Sequence, residues 1–277
     1  MFEACLAVAA FVVWIAFFEA LHLVLPNAAE HRLDGRAPVR PLHGFGPEIH
    51  KSVVPAAAYL GSIAVFHHFH LGPLLFGVKP AFDAPSFGRV VTEVASGVLL
   101  YDMLFYSFHW SFHSSRAPRF WKRLHSRHHR WAATETSAHN AIETVQNSYV
   151  DAGIQVAINI CVQQFSPWGY KHPLSRVLHN LMVTYLLTES HSGYDLGFMS
   201  HRLFPGVFGG APRHEAHHRG AAGYHQFFTY LDHARGADVT PWDRRGAAPA
   251  ATRAASGGVQ PADTAEAPEA LVAPPGA

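Results

Sequence analysis

The longest apolar stretch lies at the start of the chain and sets the first constraint on its fold. Residues Ala4 to Leu25 are interrupted only by Glu19 and His22. The hydrocarbon core of a bilayer is about 30 Å thick and needs roughly 20 apolar residues in a helix. A cleaved signal peptide would have a basic start and a small-residue cleavage site, whereas Pro26 and Asn27 follow this stretch. We therefore expect a retained membrane-spanning helix.

Further apolar stretches predict additional membrane helices. Val53 to Phe66, with the apolar residues beyond it, predicts a second span, and Val90 to Phe108 predicts a third. Val145 to Val162 and Val177 to Leu187 are shorter, and they fit either a helical hairpin or one span plus a surface helix. Charged residues make up only 15% of the chain, well below the roughly 25% of a soluble domain. The expected fold class is an all-α integral membrane protein with four to five transmembrane helices.

The distribution of lysine and arginine predicts which side of the membrane each connection occupies. Of the 21 basic residues, 17 lie after the first span, after the third span and in the C-terminal remainder, whereas the two intervening connections hold 4. Short cytoplasmic loops collect such residues, so the histidine-rich segments should form a helical cap on the cytoplasmic side. We expect N-terminal membrane helices in residues 1–90, a histidine-rich domain in residues 91–245 and a disordered tail in residues 246–277, where Ala, Pro and Gly dominate.

Net charge and cysteine content exclude two classes of protein. A formal charge of +1 excludes a nucleic-acid binder that works through a broad basic field. Two cysteines, Cys5 and Cys161, cannot build a disulfide framework or a thiolate zinc site.

Histidine is the residue whose use is most unusual, because 13 of the 22 lie between His109 and His218. His109 and His113 are spaced i, i+4 and share one face of a helix. Two His-x-x-His-His clusters, beginning at His125 and His214, each place three rings on one stripe. Nine candidate ligands are too many for one metal ion and fit two. The nine are His109, His113, His125, His128, His129, His191, His214, His217 and His218.

The ligand type narrows the choice of metal. Imidazole suits zinc, copper, iron and nickel. A structural zinc site is closed by four ligands, usually thiolates, and these clusters offer no thiolate. A redox-active metal pair with open positions for oxygen therefore fits the excess best. Single histidines are often hydrogen-bonded side chains at a membrane edge, and a haem held by His22, His67, His68 or His70 is an alternative that leaves the nine better-spaced histidines unused.

Three segments between Asp102 and Gly236 resemble the fatty acid hydroxylase/sterol desaturase superfamily. Asp102–His113 (DMLFYSFHWSFH) resembles its first motif, and Leu124–His129 (LHSRHH) resembles its second. His191–Asp195 (HSGYD), with the later motif HEAHH that starts at His214, resembles the last third of the family. This last third is most similar to cholesterol 25-hydroxylase-like and C-4 methylsterol oxidase members.

The resemblance implies a membrane-bound non-haem di-iron oxygenase. Nine histidines would hold two iron ions, which use O2 as co-substrate to hydroxylate or desaturate an unactivated C–H bond of a membrane lipid, such as a sterol or a fatty-acyl chain. The resemblance also implies an external electron donor, either cytochrome b5 with its reductase or a ferredoxin. The membrane would be that of the endoplasmic reticulum in a eukaryote or the inner membrane in a bacterium. The basic residues on which the donor should dock are Arg119, Lys122, Arg123 and Arg127.

Three carboxylates are candidates to orient a ligand, because ligating imidazoles usually donate their other N–H to a carboxylate or carbonyl. Asp102 lies two helical turns before His109. Glu143 and Asp195 each follow a histidine by four residues. A solvated position on a loop or helix is the alternative for the last two.

Two further histidines stand where the chain departs from the family pattern. His139 begins the element His-Asn-Ala-Ile-Glu, in which asparagine replaces a proline of many members. We expect His139 to hydrogen-bond a ligand, or else to be a tenth ligand. Gly223 occupies a place where many members have asparagine, and His225 could supply the missing polar group.

Two other functions remain open at this point. A membrane metal transporter or sensor would also carry histidines near its spans, but its ligands should lie at mid-membrane depth, whereas these clusters occupy arginine-rich segments. A non-catalytic lipid-binding relative would not be expected to retain nine ligands, although Gly223 leaves it room. The sequence does not choose between hydroxylation and desaturation.

Overall fold

The computed structural model describes residues 2–36, 57, 61, 65, 68, 69, 83–130 and 138–242. Within these ranges the chain is helical and contains no β-strand, only isolated bridges such as that between Arg32 and Tyr194. The all-α prediction is confirmed for this part of the chain. The helices are α1 (Phe2–Val24), α2 (Phe87–His113), α3 (Arg119–Arg130), α4 (Tyr149–Val162), α5 (Pro173–Ser190), α6 (Ser200–Leu203), α7 (Gly210–His218) and α8 (Tyr230–Ala234), with 3₁₀ turns at Ala28–His31 and Ala141–Val145.

Two of the described helices, α1 and α2, are long and apolar enough to cross a membrane. They confirm the helices predicted for the first and third apolar stretches. The second predicted span, Val53 to Phe66, and the tail, residues 246–277, lie almost wholly outside the described residues. Helices α4 and α5 occupy the two shorter apolar stretches, and α4 has only 14 residues. The expected total of four to five crossings therefore stays a prediction, as does the domain boundary at residue 90.

Helix α2 carries apolar side chains on two opposite faces. Helix α2 begins after Ser86. The Ser86 side chain accepts a hydrogen bond from the backbone N–H of Arg89 at 3.2 Å and so caps the helix. Residues three, four or seven positions apart share one face of a helix. The buried face carries Val94, Val98, Tyr101 and Phe105, and the opposite, exposed face carries Leu99, Met103 and Trp110. An exposed apolar stripe of this length suits contact with lipid rather than water.

The long helices pack around α5. Helices α1, α2 and α7 all lie against α5, and α4 lies against α2. The core between α2, α4 and α5 includes stacked aromatic rings, with Tyr101 5.6 Å from Phe227 between centroids. Helix α3 turns back against the end of α2, which brings the histidines of α2, α3 and α7 to one end of this core.

A buried ion pair after α1 supports the loop that carries His139. Arg32 and Asp34 lie 3.2 Å apart between Nε and Oδ1, and both are almost fully buried. The Arg32 guanidinium donates to the carbonyl oxygens of Ala138 and His139, each at 3.3 Å. The Asp34 carboxylate accepts from the Ala138 N–H at 2.8 Å. Arg32, which the sequence indicated only as one of the basic residues after the first predicted span, is therefore a buried residue with a structural role.

Glu19 makes a second connection between α1 and this region. Its buried carboxylate accepts a hydrogen bond from the backbone N–H of Ile142 at 3.0 Å. Ile142 lies in the 3₁₀ turn Ala141–Val145. The charge that interrupts the first apolar stretch thus holds a turn of the histidine-rich region against α1.

Candidate metal centre

The nine histidines predicted as ligands lie together in two groups. Within each group, one ring nitrogen from every member lies within 4.8 Å of those of all the others, so each group could hold a metal ion. Group one consists of His109, His113, His125, His129 and His217. Group two consists of His128, His191, His214 and His218.

Each His-x-x-His-His cluster is divided between the two groups. His128 and His129 are neighbours on α3, yet His128 belongs to group two and His129 to group one. His217 and His218 are divided in the same way on α7. Consecutive residues of an α-helix, with 3.6 residues per turn, point about 100° apart, so each helix presents imidazoles to two centres. The groups therefore adjoin, with the rings of His129 and His218 4.5 Å apart between centroids.

The spacing of the ring nitrogens matches that of atoms sharing one metal ion. In group two, His191 Nε2 lies 3.2 Å from His128 Nε2 and 2.9 Å from His214 Nε2, and His218 Nε2 lies 3.0 Å from His214 Nε2. Nitrogen ligands lie about 2.0–2.1 Å from zinc, so two nitrogen ligands whose bonds to the metal make an angle between 90° and the tetrahedral value lie about 2.8–3.4 Å apart. The four nitrogens have the spacing of such a ligand set.

Burial keeps these imidazoles neutral. Loss of water, followed by repulsion from neighbouring imidazoles, holds the pKa of His128, His214 and His218 well below the usual value of 6.5. Burial lowers the pKa of His191 to about 3. In group one, burial and the neighbouring rings likewise depress the pKa of His217. A neutral imidazole has a free lone pair, which is what a metal ligand needs.

Backbone carbonyls fix the orientation of two rings. His109 Nδ1 lies 3.0 Å from the carbonyl oxygen of Tyr224, and His191 Nδ1 lies 2.9 Å from that of Leu187. A carbonyl can only accept, so each Nδ1 carries the proton and each Nε2 keeps its lone pair. His109 Nε2 is buried and has no hydrogen-bond partner among the described residues. These contacts leave the ring atom that faces the centre ready to coordinate.

Asp151 orients a third ring and was not among the predicted residues. Its carboxylate lies 2.8 Å from Nδ1 of His125, and both side chains are buried. Asp151 lies in the first turn of α4, where the Ser148 side chain accepts from its N–H at 3.1 Å. The two partners are 26 residues apart in sequence, so no local spacing relates them. The one signal in the sequence is that Asp151 is a charged residue near the start of the apolar stretch Val145 to Val162.

His139 lies beside group two and outside it. Its Nδ1 bonds to the carboxylate of Glu215, and its Nε2 lies 3.6 Å from Glu143 Oε2. The His139 ring is 4.4 Å from that of His218 between centroids. Burial opposes protonation of His139, but the two carboxylates outweigh it and raise the pKa of His139. We expected His139 to hydrogen-bond a ligand and Glu143 to orient one, whereas His139 bonds to Glu215 and lies next to Glu143, and none of these three is among the nine histidines.

Glu215 lies within the last histidine cluster but faces away from the centre. Besides His139, its carboxylate binds Arg219 at 2.7 Å. Burial would raise the pKa of Glu215, but His139 and Arg219 hold it at about 2. Burial raises the pKa of Glu143 to about 7. The sequence did not indicate Glu215, because its partner His139 is 76 residues away and no helical spacing relates the two.

Asp102 and Asp195 have partners outside the two groups. Oδ1 of Asp102 accepts hydrogen bonds from the backbone N–H groups of Phe227 at 2.8 Å and Phe228 at 3.3 Å. The Asp195 carboxylate binds His201 Nε2 at 3.0 Å and also binds Arg202. We expected both carboxylates to orient a ligand, whereas these contacts anchor the chain segments on either side of α7.

His225 is also outside the two groups. Its Nδ1 lies 2.7 Å from the Asp232 carboxylate, and both side chains are almost fully buried. Asp232 also accepts from the N–H of Tyr224 at 2.9 Å and from the Tyr106 hydroxyl at 2.9 Å. Asp232 therefore positions Tyr224, whose carbonyl orients His109. Sequence reasoning did not identify this carboxylate.

A cavity adjoins the histidines, and we name it the metal-side cavity. Its wall combines imidazoles with apolar side chains and neutral polar groups, as in small-molecule sites. Two buried polar atoms on this wall, Asn147 Oδ1 and Gln226 Nε2, have no hydrogen-bond partner among the described residues. The wall comprises Phe105, His109, His125, His128, Thr144, Asn147, Gln155, Leu187, His191, His214 and Gln226.

Known proteins give a consistent match. A family model described as "Fatty acid hydroxylase" matches residues 94–237, just over half of the chain. A cholesterol 25-hydroxylase-like protein of Danio rerio is 30% identical over 155 residues, covering 54% of this chain and 57% of the relative. Cholesterol 25-hydroxylase of Rattus norvegicus is 25% identical over 233 residues, covering 80% of this chain and 74% of the relative.

The human cholesterol 25-hydroxylase is 26% identical over 155 residues, covering 54% of this chain and 52% of the relative. The matches thus span just over half of the zebrafish and human relatives, and about three quarters of the rat protein. No solved structure gives a significant match. The matched region contains all nine histidines of the two groups, and the chain belongs to the fatty acid hydroxylase family.

Proposed function

We propose that the chain is a membrane-bound non-haem di-iron oxygenase that hydroxylates an unactivated C–H bond of a lipid. The observation that carries the proposal is the pair of adjoining histidine groups beside a partly apolar cavity. The nine histidines are the proposed ligands. Asp151 is proposed to position His125, and His139, Glu143 and Glu215 are proposed to support the ligands from next to them.

The residues present fit iron ions. Both groups offer only imidazole nitrogen, a ligand type that iron accepts. Three members of group one, His109, His113 and His217, carry a buried Nε2 without a hydrogen-bond partner in the described part of the chain. An uncharged nitrogen left buried without a partner is costly unless it has another use. Coordination of a metal ion supplies that use.

The protein's part in the reaction is to position ligands and substrate and to exclude water. Bound iron would supply the chemistry that activates O2 and breaks an unactivated C–H bond. Asp151 and the carbonyls of Leu187 and Tyr224 hold three ligand rings in one tautomer. Phe105 and Leu187 give the cavity an apolar side against which a hydrocarbon can pack.

The relatives favour hydroxylation and a sterol substrate. They are named as cholesterol 25-hydroxylases or proteins like them. A hydrocarbon dissolved in the bilayer could reach the cavity sideways among the helices, because α1 and α2 are apolar on their outer faces. We propose four to five spans, with the histidine groups on the cytoplasmic side of the endoplasmic reticulum or of a bacterial inner membrane.

An external protein would deliver the electrons. Helix α3 carries group-one and group-two histidines on its buried side, while Arg119 and Arg123 are exposed and Lys122 is half-buried. A basic face this close to the ligands suits an acidic electron carrier such as cytochrome b5 or a ferredoxin. The Arg127 side chain, the fourth proposed contact, lies outside the side chains that the structure describes.

Iron content and product formation test the proposal together. Detergent-purified protein should bind about two iron ions per chain, one for each group, and should form an oxygen-dependent hydroxylated product from cholesterol. His217→Ala should lose the iron of group one, and the product with it. His233→Ala is the matched control, because His233 is exposed and outside both groups. Protein that binds no iron and yields no product would reject the oxygenase, and reversible zinc uptake into vesicles without oxygen consumption would support a transporter instead.

A further inference from the structure

Residues 198–208 form a surface segment between α5 and α7, which includes the short helix α6 and the turn after it. We name it the 198–208 segment. Its large exposed side chains are all apolar: Phe198 is 45% exposed, Leu203 57%, Phe204 56% and Val207 50%. Exposed apolar groups that cluster in this way mark a contact with a partner molecule or with a membrane.

The surface of the segment carries almost no charge. The structure describes every residue of the segment, and Arg202 is the only charged one that is exposed. Its guanidinium bonds to the Asp195 carboxylate through both Nε and Nη2. The remaining exposed positions, Pro205 and Gly206, have no polar side chain. The exposed surface is therefore apolar apart from one neutralised ion pair.

Backbone groups at the exposed turn bond to other groups of the protein. The N–H groups of Leu203, Phe204 and Val207 donate to carbonyl oxygens within the segment at 2.9, 2.9 and 3.1 Å. The Gly206 carbonyl accepts a hydrogen bond from the Thr229 hydroxyl at 2.7 Å. Lipid offers no hydrogen bonds, so backbone groups that contact it must be satisfied within the protein. These groups meet that requirement.

Contacts with α1 indicate the depth of the segment relative to a bilayer. The rings of Phe198 and Phe17 are 6.1 Å apart between centroids, and Met199 belongs to the same buried cluster as Phe18 and Leu21. Helix α1 has 23 residues, of which roughly 20 are needed to cross the hydrocarbon core. Phe17, Phe18 and Leu21 belong to every window of that length. The segment therefore packs against a part of α1 that would lie within the bilayer.

Contacts with α2 indicate the same depth independently. The N–H of Thr229 donates to the carbonyl oxygen of Val207 at 3.0 Å, and the N–H of Gly209 donates to that of Phe227 at 2.9 Å. The N–H of Phe227 in turn donates to Asp102 of α2 at 2.8 Å. Helix α2 has 27 residues, and Asp102 belongs to every window of roughly 20 residues within it. Whichever part of α2 crosses the bilayer, the end of the segment is held at bilayer depth.

Lipid is the partner that the exposed face fits best. The face continues the outer surface of α1, because Phe17 is itself 39% exposed where it contacts Phe198. A second copy of the chain is the alternative partner at this depth. Contacts between proteins in a bilayer depend on small residues or on polar groups, because lipid chains are as apolar as a leucine side chain. Large apolar side chains such as Leu203 and Phe204 therefore favour acyl chains.

We propose that the 198–208 segment is embedded in the leaflet on the histidine side of the membrane and does not cross it. Phe198, Leu203, Phe204 and Val207 contact acyl chains, and the long Arg202 side chain can extend to the head groups. Helix α7 begins two residues after the segment, so this contact fixes the position of its three histidines relative to the bilayer. The inference rests on the membrane location in the proposed function, and it adds a lipid contact outside the predicted spans.

Spin labels at single cysteines measure this depth in phosphatidylcholine vesicles. The two native cysteines, both exposed, are first replaced by serine, and Phe204→Cys or Val207→Cys is then labelled. Met103→Cys, on the exposed face of α2, is the bilayer reference, and Ser115→Cys, exposed just beyond the end of α2, is the water reference. The measured quantity is the ratio of label collisions with O2 to those with a polar nickel complex. At both segment positions it should match Met103→Cys within about twofold and exceed Ser115→Cys about tenfold, because hydrocarbon excludes the polar complex.

The two references separate the possible failures. If either folded segment variant gives the Ser115→Cys ratio while Met103→Cys keeps a bilayer ratio, the segment lies in water and only this inference is wrong. Labels that are shielded from both reagents and broadened by a second label would show contact with a second copy, which also overturns it. If Met103→Cys gives the water ratio as well, the membrane location in the proposed function fails too. Should Phe204→Cys fail to fold, Val207→Cys decides.

Discussion

His125 and Asp151 form a buried hydrogen-bonded pair, with 2.8 Å between Nδ1 and Oδ2. The carboxylate fixes the proton of the imidazole on Nδ1 and directs Nε2 toward His129 Nε2, which is 3.1 Å away. A carboxylate in this position also makes the ring a stronger ligand. This contact connects α4, which lines the metal-side cavity through Gln155, with group one.

Replacement of this carboxylate should weaken the metal site without removing a ligand. Asp151→Asn is expected to lower the affinity of group one for iron by about 10- to 100-fold, because the amide neither fixes the tautomer nor supports the ring with charge. Iron bound at a series of free Fe(II) concentrations measures the effect. Asp238→Asn is the control, since Asp238 pairs with His233 in an exposed position. Equal iron affinity in Asp151→Asn and wild-type protein would contradict the role of Asp151.

Adjacent histidines on α7 should serve different metal ions. His217 belongs to group one and His218 to group two. We expect His217→Ala and His218→Ala each to reduce bound iron from about two to about one per chain, and the double variant to bind almost none. Metal analysis beside far-ultraviolet circular dichroism measures iron and helicity in the same samples. A single variant that keeps its helicity but loses all its iron would show that the groups do not bind independently.

The sequence indicated eight of the nine histidines because their spacing is local, whereas His191 stands alone. Intervals of three and four residues bring side chains to one side of a helix whatever the helix packs against. The division between groups was not readable in the same way, since it depends on where α2, α3 and α7 cross. His128 and His129 fall into different groups only because two centres lie on adjacent sides of α3.

The orienting carboxylates were harder to predict because their partners are distant in sequence. His125 and Asp151 are 26 residues apart, and His139 and Glu215 are 76 apart. Asp102, by contrast, was chosen for its distance from His109 along one helix, yet its carboxylate binds the backbone of Phe227. A helical interval shows which side chains are near each other on one element, but not which other element faces them.

Gly193 allows the His139 loop to approach the end of α5. Its φ is +69°, and a β-carbon would overlap the carbonyl oxygen of His139. Gly193→Ala should therefore lower the free energy of unfolding by about 1–3 kcal/mol and displace His139 from Glu215. Gly197→Ala is the control, because a β-carbon there meets open space. Thermal unfolding of both variants measures the difference, and equal midpoints would contradict the strain.

The connection between Glu19 and Ile142 gives a paired test. Glu19→Ala leaves the buried N–H of Ile142 without its acceptor, which costs about 1–3 kcal/mol. Glu19→Gln keeps a side-chain oxygen at the same place and should retain most of the stability. Chemical or thermal unfolding of the two variants in one detergent compares them directly. If Glu19→Ala and Glu19→Gln lower the free energy of unfolding equally, the stabilisation comes from the negative charge of Glu19 rather than from its hydrogen bond to Ile142.

Acid should destabilise the metal-free protein. Burial and neighbouring rings hold the pKa of His128, His129, His214, His217 and His218 well below 6.5, and burial lowers that of His191 to about 3. Above pH 6.5 these groups are neutral in both states and stability does not depend on them. Below pH 6.5 the unfolded chain binds protons that the folded chain does not, so the free energy of unfolding falls as the pH falls. The loss is about 1.4 kcal/mol per pH unit for each imidazole that is protonated in the unfolded chain and neutral in the folded one.

His139 acts in the opposite sense, because its raised pKa contributes stability that is lost as the pH rises through its folded value. The larger number of depressed groups should dominate, so the unfolding midpoint of the metal-free protein should change little between pH 8 and 7 and fall clearly between pH 6 and 5. His191→Ala should reduce this slope by the share of one group, while His233→Ala, whose ring is exposed, should leave it unchanged. A midpoint that stays constant or rises on acidification would mean that the rings accept protons in the folded chain, and would remove the neutral imidazoles on which metal binding depends.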